Sequence, residues 1–275
     1  MIVFPNAKIN LGLHVVRKRP DGYHDLETIF YPIPLCDALE VITRKEQDSA
    51  GVAFHLSGPV NPGPDADNIC VKAWHLLNKD HPGLPATSIY LHKAIPTGAG
   101  LGGGSADGAF TLTLLNQKYQ LGLSEEQLLS YALQLGSDCP FFIRNKPCYA
   151  TGRGEIMEPV SFSLKGYQLV LINPRIEVST ARAFSKLLPS PSTRDLRTII
   201  QQPIATWREE LVNDFERTVF EDHPLIGNLK RQLYEQGATY ASMSGSGSTV
   251  FGIFENHAFD MGRVSDACFI KVIEL

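Results

Sequence analysis

The sequence predicts a protein of mixed helix and strand in two domains, 1–154 and 155–275. Three observations lead there. At 275 residues the chain stands where one core gives way to two. Short alternating runs, which read as strands, recur in both halves beside longer runs at helical spacing. Between the halves, Thr151-Gly152-Arg153-Gly154 reads as a turn where the apolar patterning stops.

The first element is the clearest strand. From Lys8 to Val16, Ile9, Leu11, Leu13 and Val15 take one face, and Lys8, Asn10, Gly12 and His14 the other. A period of two predicts a half-buried strand whose polar face carries an ammonium and a carboxamide two residues apart. Pro20-Asp21-Gly22 is a turn. After Tyr23-His24 come strands at 26–31 and 38–43, then a fourth through Val52, Phe54 and Leu56. Proline and glycine mark 58–67 as a loop. Asp67 or Asn68 can cap the helix carrying Ile69, Ala73, Trp74 and Leu77, because a side-chain oxygen there accepts an orphaned first-turn N–H. A short strand, 89–93, follows.

Further along, Ala106, Ala109, Phe110, Thr113 and Leu114 predict an amphipathic helix. Ser124 with Gln127 forms a capping box for the next helix, which Gly136 ends. Asp138, ahead of Cys139-Pro140, fits an N-cap. Beyond strand 148–150, strand 167–172 precedes helices near 180–187, 195–201, 206–220 and 225–236. A glycine-serine loop, 242–248, opens the apolar run 249–254, and 269–274 predicts an edge strand.

Composition narrows the function classes. Apolar residues at 43% and charged residues at 20% are ordinary for a soluble protein, and a net charge of −4 shows no basic excess for nucleic acid. Cys36, Cys70, Cys139, Cys148 and Cys268 are odd in number and include no C-x-x-C pair, so they read as reduced thiols rather than a zinc site. With neither leader nor membrane span in the pattern, the chain reads as cytoplasmic.

The run Pro96-Thr97-Gly98-Ala99-Gly100-Leu101-Gly102-Gly103-Gly104-Ser105-Ala106 carries the most chemistry. Glycines let a ligand approach backbone amides, and a helix beginning near Ser105 adds its positive end, so the run predicts a phosphate cradle. It is not a Walker A loop, since no lysine follows the glycines. Gly98, Gly100 and Gly103 satisfy G-x-G-x-x-G, but Pro96 interrupts the approach and the acidic ribose partner is missing, which argues against a dehydrogenase. H-R-D and D-F-G are absent, which excludes a protein kinase.

Three segments occur in a telling order: Pro5-Asn6-Ala7-Lys8-Ile9-Asn10-Leu11, the glycine loop, and Met243-Ser244-Gly245-Ser246-Gly247-Ser248. Together they resemble the three motifs of the galactokinase, homoserine kinase, mevalonate kinase and phosphomevalonate kinase (GHMP kinase) superfamily. Arg19-Pro20-Asp21-Gly22-Tyr23-His24 and Leu135-Gly136-Ser137-Asp138-Cys139-Pro140-Phe141-Phe142 resemble its branch that phosphorylates a diphosphocytidyl methylerythritol in non-mevalonate isoprenoid synthesis.

The resemblance implies an α+β fold, with an N-terminal domain of the ribosomal protein S5 domain 2 type, a ferredoxin-like C-terminal domain and the active site between them. It implies ATP with Mg2+ and a small-molecule acceptor bearing a cytidine diphosphate moiety. Lys8 and Asp138 match the catalytic residues, and 96–106 the ATP loop, with Ser105 the candidate magnesium ligand. Asn10, Tyr23 and His24 match acceptor-holding positions. Thr180 and Phe184 match a contact from the second domain. Without the resemblance, Asp138 reads as a helix cap and Lys8 as a solvated lysine; Lys93, before the loop, reads either as a group reaching the nucleotide or as a surface lysine. A sister kinase with a mevalonate- or homoserine-type acceptor is the alternative.

Overall fold

Alternation along the chain resolves into four-stranded sheets in the computed structural model, which describes residues 1–45, 51–59, 67–190, 194–255 and 259–275. In chain order the first half forms β1 (Ile2–Val3), β2 (Asn6–Lys18), β3 (His24–Cys36), β4 (Ala38–Thr43), β5 (Val52–Ser57), α1 (Ile69–Asp80), β6 (Thr87–His92), α2 (Gly103–Tyr119), α3 (Glu125–Leu135) and α4 (Cys139–Arg144). Then come β7 (Cys148–Thr151), β8 (Ile156–Pro159), β9 (Gln168–Asn173), α5 (Thr180–Ser185), α6 (Leu196–Ile199) and α7 (Trp207–Glu210). Last are α8 (Phe215–Asp222), α9 (Pro224–Glu235), β10 (Tyr240–Met243), β11 (Val250–Phe254) and β12 (Phe269–Glu274). Packing divides the chain into two interleaved units, with 8–34 counted beside 146–275 although it lies before residue 154.

One unit gathers 1–7, 35–97 and 102–145. Its sheet runs β1-β4-β6-β5, with β5 parallel to β6 and the other neighbours antiparallel. Register sets Leu39 opposite Leu91 and Val41 opposite Ile89. These side chains are buried with Trp74, Leu77, Leu112 and Leu115 of α1 and α2. Asn68 caps α1, its side chain accepting from the Cys70 N–H at 2.9 Å. The predicted box at Ser124 and Gln127 is formed, and Gly136 closes α3. Of the loop predicted at 58–67, residues 60–66 lie outside the described residues.

Helix α2 departs from expectation in two ways. It begins at Gly103, two residues before Ser105, and it is buried on nearly every side: Leu112 and Leu115 are enclosed while Thr113 is exposed. A helix inside a layered unit needs no polar face, so its sequence carries little amphipathic signal.

The other unit gathers 8–34, 98–101 and 146–275 and holds the sheets β2-β3-β7-β8 and β10-β11-β9-β12. In the second sheet every neighbour is antiparallel, and counted from β9 its strands lie second, third, first, fourth. That is the ferredoxin-like order. Helices α8 and α9 lay Phe215, Val219, Ile226, Leu229 and Leu233 onto Val170, Ile172, Ala241, Met243 and Val250. Between β11 and β12 the described residues hold a 3-10 turn, Met261–Arg263, in place of a second crossover helix. The edge strand predicted at 269–274 is β12.

The helix predicted over 206–220 is broken. The Leu13 N–H donates to the Val212 carbonyl and the Asp214 N–H to the Leu13 carbonyl, both at 2.9 Å, so 211–214 pairs with β2 instead of continuing the helix. Strand β2 is likewise not half-buried: Lys8 and Asn10 are 3% and 2% exposed. No helix among the described residues is long and apolar enough to cross a membrane.

Candidate functional site

In the unit containing 98–101, the middle of the glycine loop is sewn to two other segments. The Lys8 N–H donates to the Leu101 carbonyl at 2.9 Å, the Thr249 N–H to the Ala99 carbonyl at 3.2 Å, and the Ser244 hydroxyl to the Gly100 carbonyl at 2.8 Å. Ala99 and Leu101 are buried anchors, while Thr97 and Gly98 face outward. Gly100 stands at φ +78°, and a Cβ there would collide with the Ser244 carbonyl oxygen. Both facts demand glycine. Asn213 fixes the glycine-serine strap in turn, its carboxamide donating to the Met243 and Gly245 carbonyls at 2.7 and 2.8 Å.

Lys8 and Asn10 face the same side of β2. The Lys8 ammonium donates to Asn10 Oδ1 at 2.5 Å and stands 5.0 Å from the Phe30 ring centroid. Asn10 Nδ2 donates to the Thr28 hydroxyl at 2.9 Å, and the Asn10 N–H to Ser244 Oγ at 3.3 Å. Lys8 is thus a buried, oriented ammonium rather than a solvated strand lysine.

An aromatic cluster lies in the same unit. The His24 imidazole stacks on Phe184 with centroids 4.7 Å apart and planes within 16°. Thr180, one turn before Phe184 on α5, sits with its hydroxyl 3.0 Å from that of Ser246. Tyr23 is 54% exposed, and the Arg153 guanidinium covers one face of its ring at 4.7 Å, a cation–π contact. Burial, then the charge of Lys18, holds His24 below the usual histidine range, which leaves its ring neutral at pH 7.

The start of α2 lies in the other unit. Its N-cap, Gly102, is left-handed and has no side chain to offer, so the N–H groups of Gly103, Gly104 and Ser105 open the helix without a side-chain cap. Ala106 is buried behind them. Behind this turn lies Lys93, 5% exposed and paired with Asp37 and Asp107, not the surface lysine the sequence allowed. Burial lifts the Asp107 carboxyl to about 7 against the pull of Lys93.

Asp138 takes the N-cap position of α4, but its backbone is helical (φ −86°, ψ −15°) and its side chain makes no capping hydrogen bond. The carboxylate is therefore not spent on the helix end, which corrects the capping reading. Next to it, burial pushes the Cys139 thiol up to about 12, with a hydrogen bond from Ser105 acting against that shift. Among the described residues no three carboxylate, histidine or cysteine side chains converge as a metal cage.

The structure thus brings together Lys8 with Asn10, and His24 with Phe184. It sets Asp138, Ser105 and the α2 start in the other unit. Sequence reasoning missed Ser244 and Asn213 as the fasteners of the loop. A signal for the second was present: an asparagine-aspartate pair in the middle of a predicted helix favours a break.

Residues 68–146 match the GHMP kinases N-terminal domain family, and residues 196–261 the GHMP kinases C-terminal family. A 4-diphosphocytidyl-2-C-methyl-D-erythritol kinase of Bacteroides fragilis is 54% identical over 92% of each chain, and one of Parabacteroides distasonis 51% over 98% of each. A crystal structure of 4-(cytidine 5'-diphospho)-2C-methyl-D-erythritol kinase aligns with a TM-score of 0.78 at 30% identity, covering 92% of this chain and 90% of that one. The mevalonate kinase of Methanococcus jannaschii aligns with a TM-score of 0.71 at 11% identity over 100% of this chain and 98% of that chain, a likeness of fold alone.

Proposed function

We propose that this chain, which belongs to the 4-diphosphocytidyl-2-C-methyl-D-erythritol kinases within the GHMP kinase family, transfers the γ-phosphoryl group of ATP to the 2-hydroxyl of 4-diphosphocytidyl-2-C-methyl-D-erythritol. The observation that carries the acceptor is the stacked His24–Phe184 pair beside exposed Tyr23. Flat rings and a ring nitrogen able to accept suit a pyrimidine base with an exocyclic amine. Mevalonate and homoserine have nothing to stack.

Phosphoryl transfer has a loose transition state, so positioning and charge stabilisation supply most of the catalysis. Residues 96–106 present backbone amides to the ATP phosphates, and the α2 start adds its positive end. Lys8, fixed by Asn10, screens charge on the transferring group. Asp138 orients the acceptor hydroxyl and takes its proton late, as the new P–O bond forms. Asn10 also borders the acceptor, and Thr180 with Phe184 closes its base end. The Ser105 hydroxyl, a hard oxygen donor in the first turn of α2, would hold the magnesium that accompanies ATP, which would neutralise charge on the phosphates.

The deciding experiment measures ADP release with ATP and the cytidylyl acceptor against mevalonate and homoserine. Turnover with the cytidylyl acceptor alone supports the assignment. Turnover with either small alcohol instead moves the chain to a sister kinase.

A further inference from the structure

We propose that Asp37, Lys93 and Asp107 are positioning residues for the nucleotide: a buried ionic triad that clamps the two ends of the glycine loop at the spacing that receives polyphosphate. The inference rests on the glycine loop being the ATP site.

Lys93 directly follows β6 and stands three residues before Pro96, where the loop begins. Asp37, between β3 and β4, holds that approach along its length. Asp37 Oδ1 accepts from the N–H groups of Ala94 and Ile95 at 2.6 and 2.8 Å, and its Oδ2 pairs with the Lys93 ammonium. The Asp37 N–H is itself anchored on the Pro5 carbonyl at 2.9 Å. The Lys93 ammonium then reaches Asp107 Oδ2, on α2 just beyond the loop, at 2.7 Å. A Cβ at Gly103 would stand 3.3 Å from Lys93 Nζ, so the ammonium lies directly against the helix start. Lys93 is accordingly not a nucleotide ligand; it ties the segment entering the loop to the helix leaving it.

Stability alone does not account for the arrangement. Buried ion pairs seldom outperform apolar packing of the same volume, whereas directional bonds fix geometry. Charge does not account for it either, since the triad sets two carboxyl groups against one ammonium beneath an anion-binding turn, and burial disfavours the charged form of Asp107. Asp107 Oδ1 is buried without a hydrogen-bond partner among the described residues, so one oxygen of that carboxylate does all its work in the triad. An amide could replace it. At Asp37 both oxygens accept, and an amide there would turn a donor toward the ammonium.

The test measures both KM values, kcat and melting temperature for K93M, D37N, D107N and D107L. Misplacing a binding element by a fraction of an ångström raises KM for ATP about tenfold in K93M, D37N and D107L, while KM for the acceptor stays within about twofold. D107N, which keeps an oxygen for Lys93, stays within about threefold of wild type for ATP. Should K93M fail to fold, the contrast between D107L and D107N at one position decides the same question. Lower melting temperature and kcat with both KM values unchanged would overturn the triad's role. G100A separates the premise: if it leaves KM for ATP unchanged, the loop is not the ATP site and the kinase reading of that loop fails first.

Discussion

At the start of α2, which opens at Gly103 within 96–106, the first N–H groups carry no side-chain cap, and Lys93 lies against that start between Asp37 and Asp107. Around Tyr23, His24 and Phe184 the groups are side chains: one ring held flat on another, and a third backed by a guanidinium. On the proposed function the first region would read what all nucleoside triphosphates share, and its shape is inseparable from its backbone. The second would read a particular base, and its shape can change one side chain at a time. Substitutions in the first should therefore act on ATP alone, and in the second on the acceptor alone.

The largest effect should come from a residue belonging to neither region. D138N is expected to lower kcat by about a hundredfold or more while both KM values stay near wild type. A kcat within a few-fold of wild type in single-turnover assays would remove Asp138 from the chemistry. Next, Y23A should raise KM for the cytidylyl acceptor roughly five- to a hundredfold, since stacking on an aromatic is worth about 1–3 kcal/mol. KM for ATP should scarcely move; parallel losses in both would erase the contrast between the regions.

Within the loop the comparison sharpens further. Gly98 (φ +65°) has open space where a Cβ would go, whereas Gly100 (φ +78°) has the Ser244 carbonyl there. G98A carries backbone strain of about 1–2 kcal/mol, and G100A carries that strain plus a clash. Binding of a non-hydrolysable ATP analogue should weaken more in G100A than in G98A, with acceptor binding unchanged in both. Equal losses would mean that contact with Ser244 does not shape the loop.

The smallest effect is a pH dependence. Burial and Lys18 hold His24 below the usual histidine value, so its ring stays neutral above about pH 6.5 and gains a proton only below it. A neutral ring can accept from the base, and an imidazolium cannot. Acceptor KM should be flat from pH 7 upward and rise several-fold on the acid side. In H24A that rise should vanish; a rise that persists belongs to another group.

Much of this was legible in the residues, for local reasons. Asn68, the box at Ser124 and Gln127, and Gly136 announce helix ends because each bonds within its own turn. The glycine loop announces itself because no other residue type suits its backbone. What stayed hidden depends on distant partners. The period-two face of Lys8 and Asn10 looks solvated until Ser244, 234 residues away, closes on it. The helix over 206–220 looks continuous until Leu13 takes its backbone groups. The triad is invisible because Asp37 and Lys93 lie 56 residues apart, and nothing local distinguishes a buried ammonium from a solvated one.

Cys139 sits immediately after Asp138 and invites attention as a handle for covalent inhibition. Its burial argues the opposite. Burial pushes the thiol up to about 12, so it carries very little of the reactive thiolate at pH 7. Electrophilic warheads aimed there would find almost no nucleophile, and mild oxidants would pass it by. A drug-discovery campaign against this protein should look to reversible ligands for the acceptor rings, and a cysteine-labelling screen should leave Cys139 unmodified in the folded protein.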